Sequence, residues 1–312
     1  MRPRDRRLAQ QLEAGLRSFE IQDMPLPGIA DRGNRVCLIE QLVESLRRIK
    51  YISVIFGQPL SQSRADPTTH LFDPIKAAVL RMRAGLADEA FWLVFFSVHF
   101  GKHRIDGWRL ARDIYGRLGS GQPWEWQRTS PDPAAFRVWL AASQAQLKDS
   151  ALPRRFGNHR KYQSLDAWSA AGTGAAFATY IAWVRPPRTH DDLVQDARAR
   201  ANQDPKATFE YLYRSMETVA SFGRTARFDY LTMLGKLGLA VIEPGSTFME
   251  GATGPYAGAV LLFGRTNPPM SRSTLDNCVI RLGAQLSVGM QVMEDALCNW
   301  QKSPSAFKPF RG

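Results

Sequence analysis

A chain of 312 residues, 44% hydrophobic and 22% charged, has the composition of a globular protein with room for a full core in one large domain or two small ones. Cys37, Cys278 and Cys298 show no CxxC spacing, which argues against a disulfide framework or a zinc ribbon and for reduced thiols. Lys plus Arg total 41 against 29 acidic residues, and this net +12 points to a polyanionic partner, although a generally basic proteome would give the same surplus.

The first residues, MRPRDRRLAQQLEAGLR, are basic and lack an apolar leader, so 1–30 reads as a basic amphipathic segment. Val36, Ile39, Leu42, Val43, Leu46 and Ile49 step by three and four, the signature of a helix. A loop dense in Pro, Ser and Asp follows, and its SQSRADPTTHLFDP gathers Arg64, Asp66, Asp73 and Lys76 before Pro74 opens a helix over 75–84. Residues 88–100 are apolar on every side and end at Gly101. That run is too short for a bilayer, which needs about 20 residues, and reads as a core helix.

A further helix is expected over 105–116. GSGQPWEWQRTSPDP, 119–133, then reads as a linker between a helical subdomain at 31–118 and a second at 134–312. Helices are expected near 133–148, 162–183, 189–200 and 205–220, and a long final one over 273–301. Strand alternation is nearly absent, so the fold class is all-α. The location expected of such a chain is cytoplasmic, with no membrane span.

Chemistry gathers in a few stretches. KATFEYLYRSMETVA, a break at Ser221-Phe222-Gly223, and RTARFDYLTMLGKLG make a helix, turn and helix over 205–238 that outlines a helix-hairpin-helix. Such a turn aims backbone N–H groups at a phosphate, with Gly223 expected at positive φ and close to its ligand. A plain αα corner fits the same residues. Thr225, Asp229, Thr232 and Lys236 form a polar stripe on an otherwise apolar helix, flanked by Arg224 and Arg227. The stripe is either solvated or lines a pocket, and the nearby cations favour the pocket.

HFGKHRIDGWRLARD suits phosphate contact through Lys102, His103 and Arg109, with Arg104 and Arg112 beside them. Gly101 parts His99 from His103, which argues against a metal. RRFGNHRKY sets His159, Arg160 and Lys161 among aromatic rings that could stack a base. MEDALCNW offers Glu294 as a helical acid. MEGATGPYAGAVLLFG, 249–264, reads as a weaker hairpin or a glycine-rich packing contact.

In this order, EQLVESLRRIKYI, SRADPTTHLFDPIKAA, FWLVFFSVHFGKHRIDGWRLARDIYGRLG, FGNHRKYQSL, FGRTARFDYLTMLGKLGL and MEDALCNW resemble the α-glutamyl/putrescinyl thymine pyrophosphorylase family, clade 3. The resemblance implies a fold like the helix-hairpin-helix DNA glycosylases, as two packed helical subdomains. It also implies a role in thymine hypermodification of DNA, chiefly in bacteriophages and their bacterial relatives. The implied partners are double-stranded DNA carrying a pyrophosphorylated 5-hydroxymethyluracil and an amino acid or polyamine donor, whose amine displaces pyrophosphate.

The family supplies no residue roles to carry over, so those are read from the residues. Arg64, Arg224, Arg227 and Lys102 would hold the leaving group, and Asp229, then Glu294, would act as base. No cofactor is certain; Mg²⁺ on the diphosphate would fit, without a ligand motif. The alternatives are a glycosylase using Glu243, about 20 residues beyond Gly223, or a non-catalytic DNA-binding protein.

Overall fold

The computed structural model describes residues 3–309 except Lys161, and of Ser53, Phe56 and Asn158 the backbone alone. The fold is all-α: fifteen α-helices are described, and the only sheet-like pairings among these residues are isolated bridges at His103–Gly107 and Ser164–Gly172. No helix among them is long and apolar enough to cross a membrane.

Local chemistry sets most helix starts. α1 (Arg6–Gln22) buries Leu12, Leu16 and Phe19 on one face. α2 (Arg32–Gly57) carries the three-four stripe onward past Ile49. α3 (Pro74–Arg83) begins where the Asp73 carboxylate accepts the amides of Ile75 and Lys76, at 3.1 and 3.2 Å. α4 (Ala87–Phe100) ends at Gly101, φ 65°. α5 (Arg109–Tyr115), α6 (Trp126–Thr129), α7 (Pro133–Ala142) and α8 (Gln144–Leu147) are short.

α9 (Thr173–Val184) starts later than the expected 162, because the Asp166 side chain takes the amides of Trp168 and Ser169 into a turn instead. α10 (His190–Arg200) opens on a capping box between Thr189 and Asp192. α11 (Pro205–Ser215) is capped by Asp204. α12 (Arg224–Lys236) runs to Leu237 and the left-handed Gly238, φ 68°. α13 (Gly254–Phe263) follows.

The expected long last helix is two helices, α14 (Arg272–Leu286) and α15 (Met290–Trp300). Ser287 turns left-handed at φ 54° and Gly289 starts a new helix. Val279, Leu282, Met293 and Leu297 stay buried across the break, which is why the stripe read as continuous.

The described chain divides into two compact units, one formed by residues 3–52 with 244–309, the other by 53–243. In the first unit α13 packs on α15 and α1 on α14. Gly258 faces the Leu297 carbonyl so closely that a Cβ would lie 2.4 Å from it, so the 249–264 glycines serve helix packing. Residues 119–133 belong to the second unit and contain α6.

The second unit is built around α4, buried from Glu89 to Phe100 because it is apolar on every face. Its rings interlock with neighbours: Phe95 lies 4.1 Å from Tyr180 and 5.1 Å from Phe222, and Trp92 lies 5.0 Å from Phe177, centroid to centroid. Two ionisable groups are enclosed with these rings. Glu89 accepts hydrogen bonds from the Tyr115 hydroxyl and the Trp126 amide, and burial pushes its carboxyl up to about 8. Burial, reinforced by Arg160, lowers His99 to about 3.

These shifts set a pH optimum for stability. Neutral His99 stabilises the fold fully above its ordinary value of 6.5, and that contribution falls as pH drops toward 3. Protonated Glu89 contributes fully below 4.5, and its contribution is lost as pH rises to about 8. Between 4.5 and 6.5 the two slopes cancel, while His190, also lowered by burial, adds a rise with pH. Urea melts followed by circular dichroism should therefore show greatest stability near pH 6.5, with losses toward pH 8 and below 4.5. A maximum above pH 8 would contradict this assignment.

Candidate active site

The 205–236 segment forms helix, turn and helix as expected, but Gly223 does not carry the left-handed backbone. Its φ is −66°, and Ser221, φ 61°, makes the turn instead, with its hydroxyl donating to the Ala171 carbonyl at 2.6 Å. Phe222 drops beneath the turn onto Phe95. A Cβ at Gly223 would meet nothing within 4 Å, and Gly223, the N-cap, offers no side chain of its own to the first amides of α12. The Cβ side of Gly223 therefore faces open space.

One turn along α12, Asp229 is half exposed, and its Oδ2 accepts a hydrogen bond from Arg160 at 2.9 Å. Arg160 is only 8% exposed; its Nε–H donates to the Val98 carbonyl at 2.7 Å, which fixes the guanidinium. Asp229 Oδ1 has no partner among the described residues.

Arg160 reaches this position because two chain segments cross at glycines. Gly101 holds φ 65° with Gly157 against it, and a Cβ on Gly157 would lie 2.8 Å from the Gly101 carbonyl carbon and 2.9 Å from the Lys102 nitrogen. The crossing brings together the 101–108 loop, the 153–160 segment and α12.

The other polar stripe members diverge. Thr225 is exposed, whereas Thr232 is buried and its hydroxyl donates back to the Phe228 carbonyl at 2.7 Å, so it is not on a solvated face. Arg224 lies over the Phe228 ring. Arg227 donates to the Tyr213 carbonyl and to Glu217, at 3.1 and 2.7 Å, so a phosphate at this turn would share it with them.

Arg64 donates to the Leu71 carbonyl within its own loop. Arg109 donates to the Pro153 carbonyl at 3.0 Å. His103 turns inward, its Nδ1 accepting the Asp106 amide at 3.1 Å. Lys102 and His159 are exposed, and Lys161 lies outside the described residues. Glu294 is half-buried on α15 and belongs to the other unit from Asp229. Glu243 is exposed and lies 3.8 Å from Lys206.

A buried network behind α12 left no mark in residue spacing. Burial raises the Asp88 carboxyl, but hydrogen bonds from His190 outweigh this and leave it below the usual carboxylate range. As an acceptor only, Asp88 fixes the direction of the chain. His190 donates to it through its amide, at 2.7 Å, and through Nδ1, at 2.6 Å. His190 Nε2 then accepts from the Tyr180 hydroxyl at 2.8 Å, and the Tyr180 oxygen accepts from Tyr230 at 2.7 Å. Tyr230 faces inward where its neighbour Asp229 faces outward, so the network anchors the helix that presents the acid.

Among the described residues no three His, Cys, Asp or Glu side chains cluster as metal ligands. A family model described as alpha-glutamyl/putrescinyl thymine pyrophosphorylase clade 3 matches residues 33–312. No curated protein and no solved structure matches the chain.

Proposed function

The chain belongs to clade 3 of the alpha-glutamyl/putrescinyl thymine pyrophosphorylases, and from that premise we propose that it joins an amine to a pyrophosphorylated 5-hydroxymethyluracil in DNA. The donor is an amino acid or a polyamine. The amine nitrogen attacks the exocyclic methylene, the carbon–oxygen bond breaks, and pyrophosphate leaves with the electron pair. A carboxylate takes the proton that the nitrogen must shed. Asp229 fills that role, with Glu294 as the second choice.

The observation that carries this reading is the half-exposed Asp229 carboxylate steadied by a buried guanidinium, with its other oxygen unpartnered among the described residues. Lys102 and Arg224 supply positive charge on the same unit, where it favours a leaving diphosphate and a DNA backbone. The target base is extruded from the duplex to reach the acid.

Nucleoside mass spectrometry tests the function in cells. DNA from cells carrying the gene with its neighbours should contain an amine-bearing thymine derivative, and deletion of this gene alone should leave the pyrophosphorylated or hydroxymethyl precursor. Identical nucleosides in both would overturn the proposal. In vitro, Lys102→Ala and Arg224→Ala should each lower the slope of log affinity against log salt by about one, with little change in sequence preference. A salt titration with unchanged slopes would remove these residues from the phosphate role.

A further inference from the structure

Ile105 is 71% exposed although it belongs to a loop whose neighbours are tied down. His103 and Gly107 exchange backbone hydrogen bonds at 3.0 and 2.9 Å, closing a tight hairpin with Ile105 near its tip. Asp106, next along, accepts two hydrogen bonds from Arg155, at 2.7 and 2.9 Å, and these pin the hairpin to the 153–160 segment. His103 braces the same turn from inside, and Arg109 fastens its base to the Pro153 carbonyl. The tip is therefore held in place while its one large apolar side chain points away from the core.

Its surroundings indicate a polyanion. Lys102 and Arg104 precede Ile105 in the same loop, both are exposed, and neither has a side-chain partner among the described residues. The loop leaves α4 at the Gly101–Gly157 crossing, the same crossing that sets Arg160 against Asp229. A single exposed isoleucine is ordinary on a protein surface. An isoleucine on a braced tip, preceded by two exposed cations in a loop that leaves the crossing behind the candidate acid, has the form of a wedge that enters a base stack while phosphates bind beside it.

We propose that Ile105 inserts into the duplex beside the extruded base and keeps that base from restacking. The assignment rests on the DNA reading above. It makes Ile105 a positioning residue, while proton transfer stays with Asp229. His103 and Asp106 hold the loop rather than contact the bases.

The test uses the full chain and a short synthetic duplex carrying 5-hydroxymethyluracil with 2-aminopurine as its neighbour. Wild-type protein should raise the 2-aminopurine fluorescence on binding, because insertion unstacks that base. Ile105→Ala should abolish most of the rise and weaken duplex affinity about tenfold, the loss expected when a buried isoleucine side chain is removed. Ile105→Leu should keep both signals. Because Ile105 is exposed, all three proteins should melt at the same temperature, so a lost signal cannot be laid to misfolding. Equal fluorescence and affinity for wild type and Ile105→Ala would overturn the wedge and leave the DNA reading standing. No duplex binding by the wild type would overturn both.

Discussion

Asp229→Asn should lower turnover by about 10²- to 10⁴-fold, the usual contribution of a positioned general base, while leaving affinity for modified duplex within a few-fold of wild type. Asparagine keeps the shape of the side chain and an oxygen for the Arg160 guanidinium, 2.9 Å away in the native pair. What it lacks is a site that accepts the proton shed by the attacking amine. Because Arg160 is also held by the Val98 carbonyl, the guanidinium should stay in place and the variant should fold. A pH–rate profile separates catalysis from positioning: loss of a base flattens the limb that reports it, whereas a displaced substrate lowers the whole curve. Wild-type turnover by Asp229→Asn would remove Asp229 from the mechanism and turn attention to Glu294.

The largest effect on stability should come from His190→Ala, about 3–5 kcal/mol. The imidazole is fully buried, stacked 4.8 Å from Phe91 and tilted against Trp126 at 4.5 Å, centroid to centroid. Its loss opens a cavity among large rings and leaves the Tyr180 hydroxyl without its acceptor. Asp88 would lose the Nδ1 donor while keeping the His190 amide at 2.7 Å. Tyr180→Phe keeps the ring and removes the central hydroxyl, so it should cost less, about 1–3 kcal/mol. Urea denaturation checks both, and a change below about 1 kcal/mol for His190→Ala would show that the network does not hold α12 in place.

Much of the architecture was legible because it rests on local chemistry. The all-round apolarity of 88–100 gave the central helix, Gly101 gave its end, and Pro74 gave the start of α3. The errors have local causes too. Ser287 and Gly289 break a helix whose buried stripe continues, and the Asp166 side chain diverts residues that otherwise read as helical. Ser221 rather than Gly223 takes the left-handed turn, a choice that side-chain chemistry alone does not dictate.

The site was legible as a set of residues and not as a constellation. Asp229 stood out as an acid on an apolar helix, and Arg160 as one cation among several. Their pairing depends on two glycines 56 positions apart in the chain crossing at close range. The same limit hid the Asp88, His190, Tyr180 and Tyr230 network. Each member reads alone as a cap, a core ring or a surface acid, and only tertiary packing joins them.

The most direct measurement is a reaction with purified components. The protein is incubated with a duplex bearing pyrophosphorylated 5-hydroxymethyluracil and, in separate tubes, glutamate or putrescine; released pyrophosphate and the mass of the base are then read together. The expected result is one pyrophosphate for each base made heavier by the amine, with neither change in the Asp229→Asn protein. Release of the free base from the sugar, or DNA returned unaltered, would contradict the account.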